Sequence, residues 1–277
     1  MMQENYIEET CKNRLTHLLP SEKVALHTEK TVKIMRTKTL LLSALLGALG
    51  SVSVHAQSVY SLNAVGYINV TNQPGFNIIT CPLIETPDNT LGTVLNNASG
   101  ALTGNDVYFW SPTSGYSEDI AKKVGSTPFD TTNANGWSFN GTNLASPGVA
   151  FWFDNKVGTN IVVTFVGTVP TGPITNALVG GFNLVGSAVP MSGDIASNTI
   201  SSLTNYNIGD TVYTYDASAN PPYTEYATAH GPFGGHGQGG NWTSLGDPII
   251  PNYGQGFWYD NKGGITVNWV ENYSVGQ

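Results

Sequence analysis

The chain has 277 residues, a formal net charge of −8 and only 11% charged residues. Residues 57–277 contain four lysines and no arginine. The clustered cations that bind nucleic-acid phosphates are therefore missing, and the same shortage argues against an anionic membrane surface as a partner. The charges are also too sparse for a disordered polyelectrolyte, so we expect a folded chain.

A secretory signal peptide is predicted over residues 35–56. It begins with a basic Met-Arg-Thr-Lys, continues through small and apolar residues at 39–54, and ends with Val54-His55-Ala56. This order is typical of an export signal, and we expect cleavage between Ala56 and Gln57. An uncleaved membrane anchor is the alternative, but the apolar run of about 16 residues is shorter than the roughly 20 that span a bilayer.

Residues 1–34 precede this signal and are rich in Glu, Lys and His, without apolar periodicity. Because an export signal normally begins near the N-terminus, we interpret Met35 as the true start and 1–34 as a mis-called or disordered extension. Cys11 lies in that extension, so Cys81 is the single cysteine of the expected mature chain and an internal disulfide is excluded there. The mature protein is expected to be secreted, periplasmic or at the cell surface.

The mature chain opens with an expected strand at 58–71. Two related short strands follow, Gly75-Phe76-Asn77-Ile78-Ile79 and, much later, Gly181-Phe182-Asn183-Leu184-Val185. A second pair of strands is expected at 106–110 and 211–215. Each of these segments is short and rich in β-branched or aromatic residues, which is typical of antiparallel sheets.

Two aspartates predict helix starts. Asp88 precedes residues 89–96, which carry Leu91, Val94 and Leu95 at helical spacing. Asp194 precedes residues 195–203, which carry Ile195, Ile200 and Leu203. An aspartate in this place accepts hydrogen bonds from the first free backbone N–H groups of a helix. We therefore predict one short capped helix in each half of the chain.

The clearest repetition lies in the closing strands. Phe151-Trp152-Phe153-Asp154-Asn155-Lys156 returns as Phe257-Trp258-Tyr259-Asp260-Asn261-Lys262. Return strands are expected at 161–166 and 265–270, and in the second Ile265, Val267 and Trp269 alternate with polar residues, as in a half-buried strand.

This repetition predicts a tandem duplication, with a breaker cluster at 169–173 between the copies. We predict an all-β fold of two tandem duplicated sandwich- or barrel-like domains, each with one short helix. The first domain is expected at 57–170, with a leading strand, and the second at 171–277. Packing of the two copies as one pseudo-symmetric body is the alternative.

These motifs resemble a β repeat of secreted and cell-surface proteins from bacteria and archaea, which runs from Gly-Trp-Asn-Leu to Pro-Gly-Lys-Gly-Tyr-Trp. Here Phe76 and Phe182 replace the first Trp, and the second copy keeps Gly254-Gln255-Gly256-Phe257-Trp258, whereas Ala150 replaces the second Gly in the first copy. The opening Asn-Ala-Val-Gly-Tyr-Ile-Asn-Val (63–70) also resembles the start of exported proteins from environmental bacteria. The resemblance implies an exported accessory or structural module and no particular reaction.

The repeated aspartates are the first candidates for chemistry. Paired carboxylates such as Asp154 and Asp260 could support glycoside hydrolysis. However, Asp and Asn after a strand also shape turns through bonds from side chain to backbone. Because one Asp-Asn pair occurs in each copy, we interpret Asp154, Asn155, Asp260 and Asn261 as structural turn residues.

Two further residue classes were considered for binding. His230 and His236 lie in a Gly-rich segment, but two histidines without a nearby cysteine make a weak metal site, so no metal and no cofactor are predicted. Four tryptophans fall in duplicated positions and are expected mainly in cores. Trp110, Trp137 and Trp242 are nevertheless kept as candidate glycan contacts.

The sequence therefore favours an exported, non-enzymatic β-repeat protein with a structural or adhesive role at or outside the cell surface. A carbohydrate-binding module is the alternative, and a secreted hydrolase is less favoured. The expected partners are cell-surface polysaccharide or other surface proteins. Neither nucleic acid nor, after signal cleavage, a membrane is expected as a partner.

Overall fold

The computed structural model describes residues 64–122, 134–139, 141–196, 199–203, 206–229, 241–242, 246–250 and 252–274. These residues belong to one compact unit, 61–277. The extension 1–34, the signal segment 35–56 with its cleavage site Ala56–Gln57, and His230 and His236 lie outside the described residues. The described part is almost entirely antiparallel β structure, which confirms the all-β prediction.

We call residues 64–170 the first half and 171–274 the second half. The strands of the first half are β1 (Val65–Asn72), β2 (Gly75–Thr80), β3 (Asp106–Ser111), β4 (Gly115–Ile120), β5 (Ala150–Asn155) and β6 (Ile161–Thr168). A four-residue helix, α1 (Leu91–Val94), lies between β2 and β3.

The second half contains ten described strands. They are β7 (Gly172–Leu178), β8 (Gly181–Gly186), β9 (Gly193–Asp194), β10 (Ser201–Ser202), β11 (Thr211–Tyr215), β12 (Tyr223–Ala229), β13 (Asn241–Trp242), β14 (Ile249–Ile250), β15 (Gly256–Asn261) and β16 (Val267–Tyr273).

The main sheet of each half has the same order of pairing. The first runs β2-β5-β3-β4, and the second runs β8-β15-β11-β12-β13. A smaller sheet accompanies each, β1 with β6 in the first half and β7-β16-β10 in the second. The closing strands β5 and β15 thus lie inside their sheets, which explains why their sequences are nearly continuous runs of apolar residues.

Alternation along β5 divides its aromatic side chains between two cores. Phe151 and Phe153 enter the core of the first half, whereas Trp152 belongs to a third cluster that also contains Ile78, Ala150, Leu184 and Trp258. This third cluster lies between the two main sheets and draws residues from both halves. The two halves therefore share a buried interface, as in the single-body alternative.

Backbone contacts join the halves at two equivalent places. The N–H of Thr80 donates to the carbonyl of Gly254 at 2.9 Å, and the N–H of Gly186 donates to the carbonyl of Gly148 at 3.1 Å. Gly256 has no room for a side chain here, because a Cβ would lie 2.5 Å from the Cβ of Ala150. The interface thus has room for one methyl group at this site, which explains why Ala150 of the first half faces a glycine in the second half.

The prediction of one short helix in each half needs correction. In the first half α1 is shorter than the predicted 89–96, and the backbone N–H of Thr90 and the hydroxyl of Thr93 donate to the Asp88 carboxylate at 3.0 and 2.8 Å. In the second half the described part of 195–203 holds no helix. There Ser201 lies opposite Glu271 in a strand pair, and its hydroxyl accepts the indole N–H of buried Trp269 at 2.7 Å.

The second return strand begins later than predicted, at Val267 rather than Ile265. The carbonyl of Ile265 accepts a 2.7 Å bond from the Asn261 side chain, so this residue still belongs to the turn, and its side chain is exposed. As a consequence Trp269 takes the place that Val163 has in the first half, and Glu271 takes the place of Phe165.

Candidate functional site

The two predicted turn asparagines make matching hydrogen bonds. The Asn155 side chain donates to the carbonyls of Asn72 (3.1 Å) and Thr159 (2.7 Å). The Asn261 side chain donates to the carbonyls of Leu178 (2.9 Å) and Ile265 (2.7 Å). Each asparagine is buried and connects the turn that follows its strand to the neighbouring small sheet.

The two predicted turn aspartates lie one position earlier, within the closing strands. Asp154 stands directly opposite Asp106 in the sheet, and Lys156 forms ion pairs with both, its Nζ lying 3.7 Å from the Asp154 carboxylate. Burial raises the pKa of the Asp154 carboxyl, and the charge of Lys156 acts in the opposite direction. Asp154 is therefore half-buried in a compensated charge cluster.

Asp260 differs from its counterpart in one respect. It is buried and paired with Lys262, but the residue opposite it in the sheet is Thr211 rather than a second aspartate. The structure therefore places the two aspartates in separate sheets, each beside its own lysine. It does not bring them together as the two halves of one acid–base pair.

Two of the three candidate glycan contacts are core residues, which corrects that assignment. Trp137 is fully buried, and its indole N–H donates to the carbonyl of Leu95 at 2.7 Å. Trp242 is buried in the core of the second half, with its ring centroid 4.8 Å from that of Tyr206. Neither ring presents a face to solvent, so neither can stack on a sugar.

Trp110, the third candidate, lies partly exposed at the junction of the two halves. Its ring packs edge-on against Tyr116 at 4.9 Å and against Trp258 of the second half at 5.5 Å. Its indole N–H donates to the carbonyl of Phe182 at 2.8 Å. The ring is thus fixed by contacts on both sides.

These contacts extend into two equivalent rows of rings. The Trp110 row consists of Phe182, Trp258, Trp110 and Tyr116, with successive centroids 5.8, 5.5 and 4.9 Å apart. The Tyr215 row consists of Phe76, Trp152, Tyr215 and Tyr223, with successive centroids 5.7, 4.9 and 5.0 Å apart. Each row crosses from one half to the other through an edge-to-face contact, the geometry that aromatic pairs prefer.

The end rings of both rows are open to solvent. Phe76 is 44% exposed, Phe182 46%, Tyr116 54% and Tyr223 42%. Burial raises the pKa of the Tyr223 hydroxyl, and Tyr215 and Tyr116 add to this shift. The ends of the rows thus offer exposed aromatic faces and tyrosine hydroxyl groups.

The exposed ends of these rows were missed by sequence reasoning, which selected tryptophans. Phe76 and Phe182 were noted only as replacements in the opening motif, and Tyr116 and Tyr223 were not selected. The pairing of neighbouring strands could have revealed the two tyrosines. Tyr116 lies opposite Trp110 in the β3–β4 pair, just as Tyr223 lies opposite Tyr215 in the β11–β12 pair. Aromatic residues that face each other across neighbouring strands, at the matching place in each half, identify these exposed rings.

The described residues were also compared with the requirements of a metal site and of a membrane-spanning helix. In the described ranges, no three His, Cys, Asp or Glu residues are grouped so that they could hold a metal ion. No helix of the described part is long and apolar enough to cross a membrane.

Comparison with protein-family models, with curated proteins and with solved structures finds no match to this chain.

Proposed function

We propose that this chain is an exported, non-enzymatic protein with an adhesive role, and that it adheres by binding carbohydrate on the two aromatic rows. The observation that carries this proposal is the exposure of the four end rings, each braced by a ring behind it. Exposed apolar surface of this kind marks interaction sites. Flat rings with hydroxyl groups suit the faces and edges of sugar rings.

Rigidity supports the same function. Phe76 is held by Trp152 and Phe182 by Trp258, and both tryptophans are buried in the shared interface. A ring that is already fixed loses little conformational freedom when a ligand binds, which favours affinity. Because there are two equivalent rows, a polysaccharide chain that contacts both would gain the avidity that two linked contacts bring.

The carboxylates support a non-enzymatic role. Asp154 and Asp260, the candidates for hydrolysis, each form an ion pair with a lysine of the following turn. Glycoside hydrolysis needs two carboxyl groups on either side of one bond, whereas these two aspartates lie in separate sheets. We therefore interpret both aspartates as parts of the sheets.

The test is binding of residues 57–277 to an array of polysaccharides and oligosaccharides. We expect saturable binding by the parent protein and about tenfold weaker binding by the Tyr116→Ala, Tyr223→Ala double variant, because two stacking rings are removed. Tyr67→Ala is the matched control, since Tyr67 is 67% exposed on β1 and belongs to neither row.

Equal losses in the control and the double variant would contradict a role for the rows. Release of reducing ends from a bound glycan that disappears in Asp154→Asn and Asp260→Asn variants, with folding retained, would instead establish a hydrolase. Thermal unfolding of each variant separates lost binding from lost folding.

A further inference from the structure

A polar groove lies between the first half and the second, next to the Tyr215 row. Its volume is about 580 Å³, within the usual range for small-molecule sites. Strands β1 and β2 form one side, and β11 and the segment before β15 form the other. Amide side chains are the most frequent class in the lining: Asn69, Asn72, Gln73, Asn77, Asn160, Asn252 and Gln255.

Two of these amides carry buried oxygens without a hydrogen-bond partner among the described residues, Oδ1 of Asn72 and Oε1 of Gln255. The Asn72 side chain is fully buried, and its amide N–H groups face the carbonyls of Val70 and Ile161 at 3.3 and 3.5 Å. Gln255 donates to the carbonyl of Tyr215 at 3.0 Å. Because the amide nitrogens are engaged with backbone, the oxygens are fixed as acceptors and require a donor.

The groove selects against anionic ligands. Its lining contains no lysine or arginine among the described residues, and Asp216 is its one carboxylate. Asp216 already accepts bonds from the backbone N–H and the hydroxyl of Ser218, at 2.9 and 2.7 Å, which lower its pKa. An anionic ligand would meet this carboxylate without a compensating cation.

Aromatic surface completes the site. Tyr215 lines the groove while also belonging to the Tyr215 row, and Tyr253 lines it with 53% of its surface exposed. A ligand in this groove therefore meets aromatic rings, fixed amide acceptors and little charge. Hydroxyl donors on a ring with apolar faces satisfy all three conditions.

We propose that this groove is a binding site for a neutral oligosaccharide, whose hydroxyl groups bond to the exposed amide of Asn252 and the partly exposed amide of Gln255 beside the rings of Tyr215 and Tyr253. The proposal rests on the proposed carbohydrate-binding function and specifies the ligand class and a second place of contact. The exposed rows hold the polysaccharide surface, and the groove receives a single glycan chain.

The experiment measures binding of soluble hexasaccharides by isothermal titration calorimetry. The probes are neutral oligomers of glucose, mannose, galactose and N-acetylglucosamine, together with an oligomer of galacturonate. For the preferred neutral probe we expect the Kd to rise about tenfold in Tyr253→Ala and in Gln255→Leu, because a ring or an acceptor is lost. Tyr67→Ala is the matched control, since Tyr67 is exposed, belongs to neither row and lies outside the groove lining.

The outcomes separate the two proposals. If the parent protein binds no carbohydrate on the array or in the calorimeter, both proposals are wrong. If it binds, but Tyr253→Ala and Gln255→Leu match the parent while Tyr116→Ala weakens binding, only the groove is overturned. Preferential binding of the galacturonate oligomer also overturns it. Should Gln255→Leu fail to fold, the Tyr253→Ala, Asn252→Ala double variant decides, because both side chains are exposed.

Discussion

The buried carboxyl group of Glu271 predicts that the protein loses stability as the pH rises. Glu271 lies on β16 with no exposed surface, and burial raises its pKa from 4.5 to about 7, although the bond from the Ala188 N–H acts in the opposite direction. The Ala188 N–H donates to Oε2 at 2.8 Å, and the Ser187 hydroxyl contacts Oε1. The Ser187 hydroxyl also lies 2.6 Å from the carbonyl of Val189.

The position of the protons explains why the neutral acid fits. A hydroxyl has one proton, and the Val189 carbonyl can only accept, so the Ser187 hydroxyl donates there. Its oxygen can then accept a proton from Oε1 of Glu271, while Oε2 accepts from Ala188. The protonated carboxyl group therefore satisfies every partner. In Glu271→Gln, the side-chain NH₂ group replaces the O–H and the carbonyl oxygen keeps the bond from Ala188.

The sign and size of the effect follow from linkage. Because the folded pKa of about 7 exceeds the ordinary 4.5, the folded state retains a proton that the unfolded chain releases. Stability is therefore complete below pH 4.5, falls as the pH rises through 7, and stays lower above it. The difference between the two pKa values corresponds to about 3 kcal/mol.

Urea unfolding of residues 57–277 at pH 4.5, 6 and 8 provides the measurement. We expect Glu271→Gln to be about 3 kcal/mol more stable than the parent at pH 8 and nearly equal to it at pH 4.5. Glu225→Gln is the control, because Glu225 is exposed on β12. The reasoning is refuted if Glu271→Gln keeps the pH dependence of the parent or is the less stable protein at pH 8. Glu85, whose pKa burial also raises to about 7, leaves a residual slope in the variant.

Three further substitutions test the packing. Gly256→Ala should lower the unfolding free energy by about 1–3 kcal/mol in urea unfolding, because its Cβ would lie 2.5 Å from that of Ala150. Adding Ala150→Gly should restore part of the lost stability. A double variant as unstable as Gly256→Ala would argue against this contact. Asn261→Ala should lower the unfolding free energy by about 2 kcal/mol in the same assay, because two carbonyls lose their donor. Asn268→Ala is the control and should change stability little, since Asn268 is exposed. Equal losses in the two variants would contradict the structural role of Asn261. Trp137→Phe should lower the melting temperature by removing the 2.7 Å bond to Leu95, and an unchanged value would show that this bond contributes nothing.

The pattern of the sequence was sufficient for the fold class and for the closing strands. Short strands separated by Gly- and Asn-rich turns predicted antiparallel β structure, and the repeated Asp-Asn-Lys placed the ends of β5 and β15 correctly. Local chemistry decides such features, since an asparagine after a strand bonds to the backbone a few residues away. For the candidate site, sequence reasoning found Trp110 but also chose Trp137 and Trp242, which are buried.

What sequence reasoning could not decide depends on long-range contacts. Period-2 alternation shows which residues share a face of a strand, but not whether another sheet covers that face. Trp152 is buried because the second half packs on it, whereas Phe76 beside it remains 44% exposed. The missing second helix has a similar cause, since Ser201 pairs with β16 and accepts the N–H of Trp269. Local propensity is overridden where a distant buried group needs a partner.

The sequence by itself therefore determined the β character, the turn asparagines and the repetition of the closing strands, because all of these depend on residues near one another in the chain. Only the tertiary structure decided that the two halves share a core, that eight aromatic rings form two rows with open ends, and that Glu271 is buried where Phe165 stands in the first half. These features arise where the two halves or their sheets meet, and residues far apart in sequence jointly set the exposure and charge of each group there.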